Sequence, residues 1–257
     1  MTITLKPIPS LSDNYIWLLI NNTKSTAAIV DPGTSAGCEK FLEREKIQPV
    51  AILVTHRHWD HVNGIEQLVN KYDIPVYGPA TEFVPRLTTP LTENDDVRIP
   101  ELELDLRVID IGGHTAGHIG YLTDNKLFCG DTLFSAGCGR LLGGTAAQLH
   151  ASLNRICQLP DDTVIYCTHE YTLDNLRFAQ AVEPDNPHIQ SRIDEVKALR
   201  AENLPSLPVT LEMEKRYNPF LRTSQKSIIQ SVARHSGQQI ENSEDCFTYL
   251  RMWKDGF

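Results

Sequence analysis

The stretch LVTHRHWDHVNG, residues 53–64, concentrates side chains that bind metal ions directly after an apolar run. It contains His56, His58, Asp60 and His61, and imidazole together with carboxylate suits divalent ions such as zinc, iron or manganese. Alternate residues of an extended segment point the same way, so His56 and His58 can reach one ion. Asp60 and His61 follow the turn into a helix and can face a second ion.

Three further residues of the same kind follow other predicted strands. His114 comes after LRVIDIGG, Asp131 after LFCG and His169 after VIYCT. Loops beyond strand ends are where rigid scaffolds display functional groups, so neighbouring strands would bring all seven side chains to one edge. Seven ligands are too many for one tetrahedral ion and fit two ions that share a carboxylate. We therefore predict two divalent metal ions per chain, with zinc favoured and iron or manganese as alternatives.

The remaining histidines are interpreted differently, because an isolated histidine is more often structural than a ligand. His118 lies next to the predicted site in GHTAGHIG, and we expect it to support the ligands or the structure. For His150, His188 and His235 we expect purely structural roles.

The first two thirds of the chain alternate strand-like and helix-like segments. VAILVT is a buried strand, and HVNGIEQLVNKYD then changes to a helical period. IGYLTDNKLFCGD predicts a hairpin that turns at Asp124-Asn125. GTAAQLHASLNRICQLP predicts a helix capped by Thr145. Residues 1–169 are accordingly predicted to form an α/β domain that binds the metals and carries the catalysis.

Residues 170–257 are predicted to form a separate helical domain without strands. SQKSIIQSVARHSG has Ser224 as a predicted cap and Gly237 as the end of its helix. NSEDCFTYLRMWKDGF predicts a final helix with Cys246, Leu250 and Trp253 on its inner face.

Composition narrows the function classes. A formal net charge of −9 over 257 residues argues against a nucleic-acid partner. The six scattered cysteines predict free thiols in a reducing compartment. The first residues do not resemble a signal peptide, and no apolar run approaches the ~20 residues of a membrane span. We expect a cytoplasmic monomer that acts on a small molecule and has no membrane partner.

THRHWDH resembles the T-H-x-H-x-D-H signature of the metallo-β-lactamase superfamily, and the resemblance continues through GGHTAGHIG, FCGDTLF and CTHEYT. It covers residues 1 to about 170 and implies an αββα sandwich with a metal site at one edge of its two sheets. The resemblance assigns the first ion to His56, His58 and His114 and the second to Asp60, His61 and His169, with Asp131 as the bridging carboxylate.

Within that superfamily, four segments resemble the hydroxyacylglutathione hydrolase (glyoxalase II) family: FCGDTLFSAGCGRLLGGTAAQL, THEYTLDNLRFA, RYNPFLR and LRMWKDGF. This resemblance implies hydrolysis of S-D-lactoylglutathione to D-lactate and glutathione, the second step of methylglyoxal detoxification. A hydroxide that bridges the two metals would attack the thioester carbonyl. Asp60 and Asp131 would serve the catalysis as charged ligands that offset the charge of the ions.

The same resemblance assigns glutathione contacts to four residues, Arg140, Tyr171, Arg251 and Lys254. Arg251 and Lys254 are three apart on the last predicted helix, a spacing that by itself is also typical of a solvated helix end. The chain departs from the family where Arg140 replaces a common lysine and Leu142 replaces an aromatic residue. These departures concern glutathione affinity, because Arg binds carboxylates bidentately and Leu142 offers no hydroxyl. Arg57, where relatives commonly have histidine, is not a ligand position.

Three alternatives accompany this interpretation. A class B β-lactamase would share the fold, but the helical tail argues against it. A glutathione persulfide dioxygenase uses one iron and would not need the second set of ligands. A catalytically silent member of the superfamily would be expected to have a broken ligand set, whereas all seven positions are intact here.

Overall fold

The computed structural model describes residues 3–257 and separates into two compact units. One unit comprises the residues up to Ile111 together with Gly117–Gly130. The other comprises Gly112–Ala116 together with Asp131–Phe257.

The first unit contains a six-stranded sheet in the order β1 to β6. Its strands are β1 Ile3–Ser10, β2 Asn14–Asn21, β3 Thr26–Val30, β4 Gln48–Leu53, β5 Val76–Pro79 and β6 Thr89–Leu91. The β1–β2–β3 pairs are antiparallel, and those from β3 to β6 are parallel. Val30 is in register with Leu53, so the chain leaves β3 at Asp31 beside the point where β4 leads into the metal-ligand motif.

Among the described residues of this unit there are three helices: α1 Ala36–Glu45, α2 Trp59–Val62 and α3 Ile65–Tyr72. Leu42 of α1 and Leu68 of α3 pack in one apolar core with Leu18, Ile29 and Ile52 of the sheet. Such burial is the main contribution to stability that an amphipathic helix makes.

The helical period predicted over HVNGIEQLVNKYD is confirmed, but two helices share the segment, because α2 ends at Val62 and α3 begins at Ile65. At the break, the Gly64 amide donates to the Pro32 carbonyl at 2.8 Å. A Cβ at Gly64 would lie 2.5 Å from the Thr34 carbonyl carbon, so only glycine allows this approach.

Four more strands of the first unit pair in an antiparallel meander, β7 Asp96–Ile99, β8 Leu104–Asp110, β9 Ile119–Thr123 and β10 Lys126–Gly130. The hairpin turn predicted at Asp124-Asn125 is confirmed, and Asp124 adopts the left-handed φ of 47° that such turns use. The Tyr121 hydroxyl donates to the Val54 carbonyl at 2.7 Å and so fixes β9 against the segment that follows β4.

The second unit has four short strands that form two pairs. β11 Leu133–Phe134 pairs with β12 Gly137–Cys138, and β13 Val164–Cys167 pairs with β14 Val209–Thr210. The prediction that strands stop after about residue 170 is therefore wrong. Val209 of β14 is buried and pairs with Ile165 of β13. The sequence of a two-residue segment does not predict such a tertiary pairing.

The helices of the second unit are α4 Ala146–Ile156, α5 Thr172–Val182, α6 Pro187–Ala201, α7 Leu211–Tyr217, α8 Lys226–Ser236 and α9 Ser243–Asp255, with a 3₁₀ turn at Pro219–Leu221. Thr145 caps α4 as predicted, since its hydroxyl accepts from the Gln148 amide at 3.1 Å. Ser224 does not cap α8. It lies inside a turn closed by the Gln225 amide on the Arg222 carbonyl, so the helix begins one residue later.

Gly237 ends α8 as predicted, with a left-handed φ of 68°. Cys246 and Leu250 of α9 are fully buried, whereas Trp253 is half-buried and stacks on His235 at 3.9 Å between ring centroids. The six cysteines form no disulfide. Across residues 3–257, no helix combines the length and apolar character needed to cross a bilayer.

Candidate metal and substrate site

In the first unit, four predicted ligands converge immediately after β4. His56 and His61 are fully buried, and their ring centroids lie 4.1 Å apart. His56 Nε2 lies 3.0 Å from His58 Nδ1, and His61 Nε2 lies 3.5 Å from Asp60 Oδ2. The extended backbone at His58 and the helical turn that starts at Trp59 turn all four groups to one side, as the spacing predicted.

Thr55 and Asp31 contact two of these predicted ligands, His56 and His61. Asp31 accepts from the Thr55 amide at 2.8 Å and from the Thr55 hydroxyl at 2.7 Å. Because the Thr55 proton is committed to Asp31, its oxygen is the acceptor for His56 Nδ1, 3.1 Å away. His61 Nδ1 lies 3.2 Å from Asp31 Oδ2. The His56 ring therefore carries its proton on Nδ1 and has its lone pair on Nε2, the tautomer that an Nε2 metal ligand requires.

Sequence reasoning missed Asp31, although a signal was present. Asp31 follows β3 in VDPG and is thus another carboxylate at a strand end. The glycine of this turn serves the site as well, since a Cβ at Gly33 would lie 1.8 Å from the Asp60 carbonyl oxygen. Asp31 itself has a left-handed φ of 50°, which Asp and Asn tolerate better than other residues with a side chain.

Three other residues hold the ligand loop of the first unit. Asn14 Nδ2 donates to Asp60 Oδ2 at 3.0 Å. Glu82 accepts from the amides of Arg57 and Gly117, at 2.8 and 3.0 Å. The His118 ring stacks on His56, with centroids 4.6 Å apart and planes inclined by 18°, which is a supporting position.

In the second unit, Asp131 lies between two imidazoles. His114 Nε2 is 3.5 Å from Asp131 Oδ2, and His169 Nε2 is 3.4 Å from Asp131 Oδ1. His114 Nδ1 is 2.7 Å from the Arg140 carbonyl oxygen, which can only accept, so the proton is on Nδ1 and the Nε2 lone pair faces Asp131. The Thr168 hydroxyl donates to Asp131 Oδ1 at 2.6 Å. Each carboxylate oxygen thus faces a different histidine, a geometry suited to a bridging ligand.

All seven predicted ligands are among the side chains able to hold a metal ion. Within each unit, the facing nitrogen and oxygen atoms of these side chains are 3.0–3.5 Å apart. Buried lone pairs in such proximity repel unless a cation or a proton lies between them. The chemistry of the donors, imidazole nitrogen and carboxylate oxygen, fits a borderline divalent ion and does not select among zinc, iron and manganese.

The four predicted glutathione contacts all belong to the second unit, but their exposure differs. Arg140 is exposed and Lys254 is half-exposed. Arg251 is only 3% exposed, and it donates to the Cys138 carbonyl at 3.0 Å and to Asp255 at 3.1 Å. Tyr171 stacks on His169, a predicted ligand, with ring centroids 4.6 Å apart.

A cation cluster forms around Lys254. Burial lowers the pKa of Lys254, and the positive charges of Arg251 and Arg140 lower it further against the opposing effect of Asp174. The Lys254 ammonium lies 5.1 Å from the centroid of the Phe178 ring. The structure therefore provides a local positive region in a chain of net charge −9, which an anionic ligand requires.

The histidines expected to be structural have structural contacts. His150 is buried, with its Nε2 atom 3.1 Å from both Asn154 and Ser243. His188 lies in the first turn of α6, where its amide donates to Asn186. Leu142 is 51% exposed and offers only an apolar surface.

Comparison with known families divides the chain into two matches. Residues 12–169 match the metallo-beta-lactamase superfamily, and residues 170–257 match the hydroxyacylglutathione hydrolase C-terminus. A hydroxyacylglutathione hydrolase of Nitrosomonas europaea is 48% identical over 99% of this chain and 97% of its own. The protein of the same name from Vibrio parahaemolyticus is 48% identical over 98% of this chain and 99% of its own.

Solved structures agree on the fold. The BLEG-1 B3 metallo-beta-lactamase has a TM-score of 0.64 and 25% identity and covers 85% of this chain and 99% of its own. ETHE1 from Myxococcus xanthus has a TM-score of 0.67 at 21% identity, with 99% and 98% of the two chains covered. The predicted fold class, a metallo-β-lactamase sandwich followed by a helical region, is confirmed.

Proposed function

The chain belongs to the metallo-β-lactamase superfamily and, within it, to the hydroxyacylglutathione hydrolase family, and from this membership we propose that it hydrolyses S-D-lactoylglutathione to D-lactate and glutathione. The observation that carries the proposal is 48% identity to a hydroxyacylglutathione hydrolase over 99% of the chain, because a shared fold alone would not specify a reaction. The proposed role is the second step of methylglyoxal detoxification.

We propose that two divalent ions, zinc in the first instance, are held by the seven predicted ligands. His56, His58 and His114 would bind one ion, Asp60, His61 and His169 the other, and Asp131 both. Bound ions of this kind supply a hydroxide nucleophile at neutral pH and polarise the thioester carbonyl. The Nε2 lone pairs of His56 and His114 support this assignment.

The chain's own residues would contribute charge and orientation. Asp60 and Asp131 would offset the charge of the ions. The departing glutathione thiolate needs no strong acid, because a thiol pKa of about 8.5 makes it a competent leaving group. We therefore assign no general acid among the residues of the site.

Substrate binding is proposed for residues 170–257 together with Arg140, while residues 1–169 provide the catalytic metal-binding part. Arg140 and Lys254, the exposed and half-exposed cations, would contact glutathione carboxylates, and Tyr171 would border the tripeptide. Arg251 would act with them from its buried position beside Cys138. The free cysteines support a cytoplasmic location. We propose a monomer with no macromolecular partner, which light scattering on the eluting protein would test.

The test is to assay S-D-lactoylglutathione, nitrocefin and glutathione persulfide in parallel on one preparation whose metal content is measured. We expect thioester cleavage with two metal equivalents, and we expect His58→Ala and Asp131→Ala to abolish two-metal loading. His188→Ala, outside the ligand set, serves as the matched control and should change neither quantity. Oxygen uptake with the persulfide and no thioester cleavage would favour the dioxygenase alternative. Full activity with one metal per chain would contradict the two-metal assignment.

A further inference from the structure

A short hairpin connects the proposed bridging ligand to the first proposed substrate cation. It runs from Asp131 through β11 and β12 to Arg140, and Ser135 and Ala136 form its turn. Ala136 has a left-handed φ of 56°. This conformation is unfavourable for a residue that carries a Cβ, so other contacts must hold it.

The contact that holds this turn is Glu214 of α7, a fully buried carboxylate. Its Oε2 accepts from the Ala136 amide at 2.8 Å and from Asn218 Nδ2 at 2.9 Å. Its Oε1 accepts from the hydroxyls of Ser135 and Tyr217, each at 2.7 Å. Four donors thus satisfy a carboxylate that would otherwise be costly to bury.

Two asparagines also bond to this turn, and we call Glu214, Asn218 and Asn175 together the clamp. Asn218 Nδ2 lies 3.1 Å from the Phe134 carbonyl oxygen and 3.0 Å from that of Gly137. Asn175 Nδ2 donates to the Ser135 carbonyl at 3.0 Å. The polar backbone groups at the turn are therefore bonded to Asn175 of α5, Glu214 of α7 and Asn218 just after α7, none of which is a predicted ligand or glutathione contact.

We infer that Glu214 is a positioning residue, which fixes the Asp131–Arg140 hairpin and thereby the placement of the bridging ligand relative to the substrate cation. This inference rests on the proposed function for what the two ends of the hairpin do. The clamp itself rests only on the contacts within the second unit. Without the carboxylate, the Ala136 amide loses its partner, and the turn loses the contact that offsets its left-handed backbone.

The experiment compares Glu214→Ala with Glu214→Gln and with Val196→Ala, which removes buried apolar volume from α6 and serves as the destabilised control. Burial raises the pKa of Glu214, but the rescue does not depend on its charge, because glutamine offers the same oxygen to Ala136 and an amide to the two hydroxyls. The readouts are metal affinity by chelator competition, hydrogen exchange of the peptide spanning 131–140, and kcat and KM for the thioester.

For Glu214→Ala we expect faster exchange in that peptide, about tenfold weaker metal binding and roughly 100-fold lower kcat/KM with a raised KM. Glu214→Gln should stay close to the wild type, and Val196→Ala should lower the melting temperature without these changes. Unchanged exchange and metal affinity in Glu214→Ala would overturn the inference, as would equal losses in Val196→Ala.

Two outcomes separate the inference from the proposed function. If the wild type does not cleave the thioester, the proposed function fails, while exchange and metal affinity still decide whether the clamp exists. If Glu214→Ala does not fold, Asn175→Ala removes only the bond to the Ser135 carbonyl and should produce smaller shifts of the same sign. Wild-type exchange and metal affinity in that variant would count against the clamp.

Discussion

Replacing Asp31 by asparagine should weaken metal binding although the two side chains have the same shape. Asp31 presents one oxygen to the Thr55 amide and the other to the Thr55 hydroxyl and to His61 Nδ1. Asparagine tolerates the left-handed backbone at this position, so the substitution introduces little strain. What changes is that only one of the two terminal atoms can still accept a hydrogen bond.

The substitution affects which ring nitrogen of His61 can carry the proton. A metal ion on His61 Nε2 requires the imidazole proton on Nδ1, and if the new amide nitrogen faces His61, that proton meets a second donor. If the new side-chain amide is rotated by 180°, its nitrogen faces the backbone amide of Thr55, and two hydrogen-bond donors then face each other. Either arrangement is unfavourable, and loss of such an outer partner lowers metal affinity about 10- to 100-fold, or ~1.4–2.8 kcal/mol.

Chelator-competition titration of purified Asp31→Asn gives the affinity directly. Asp73→Asn is the matched control, because Asp73 has a similar left-handed φ of 52° but is exposed at the end of α3. We expect the control to bind metal like the wild type. If Asp31→Asn were folded and bound both ions with wild-type affinity, the argument that Asp31 sets the tautomer of His61 would be refuted.

Three further predictions concern other parts of the chain. Thr168→Val removes the hydroxyl that donates to Asp131 at 2.6 Å and should weaken metal binding about tenfold by chelator titration, whereas a change within twofold would contradict this role. Burial and the nearby arginines lower the pKa of Lys254, so KM for the thioester should rise at alkaline pH below 10.5 in the wild type but not in Lys254→Arg. Burial acts to raise the pKa of Glu183, but hydrogen bonds, including those from Arg222, outweigh it and lower the pKa. The stability contributed by Glu183 is therefore present at neutral pH and lost as pH falls below 4.5 through the lowered pKa. Urea unfolding of Glu183→Gln should show a lower free energy of unfolding at neutral pH and less acid sensitivity.

The convergence of the candidate ligands could be predicted from the sequence because their pattern is local. His56, His58, Asp60 and His61 occupy one strand end, and the pattern of spacing is enough to predict a metal site. Asp31 is different, since its role depends on the parallel register of β3 with β4, which is set by contacts far apart in the chain. The role of Glu214 is harder still to predict, because nothing in its local sequence indicates that its carboxylate accepts a hydrogen bond from the Ala136 amide.

Helix ends show the same limit. Thr145 forms a local cap that the sequence specifies, whereas the break at Gly64 depends on the approach of the Pro32–Thr34 turn. The pairing of β14 with β13 likewise depends on a contact between segments about 45 residues apart, which no local propensity encodes.

Arg251 and Lys254 show why spacing alone does not assign a role. Their separation of three residues predicts one helical face, but Arg251 is buried against the Cys138 carbonyl while Lys254 is half-exposed. Arg251 therefore holds the end of the hairpin whose turn Glu214 holds. Residues 1–169 contain every proposed ligand, yet the segment from Asp131 to Arg140 is fixed by side chains after residue 169. The helical part of the chain thus contributes to the placement of a proposed metal ligand as well as to proposed substrate binding.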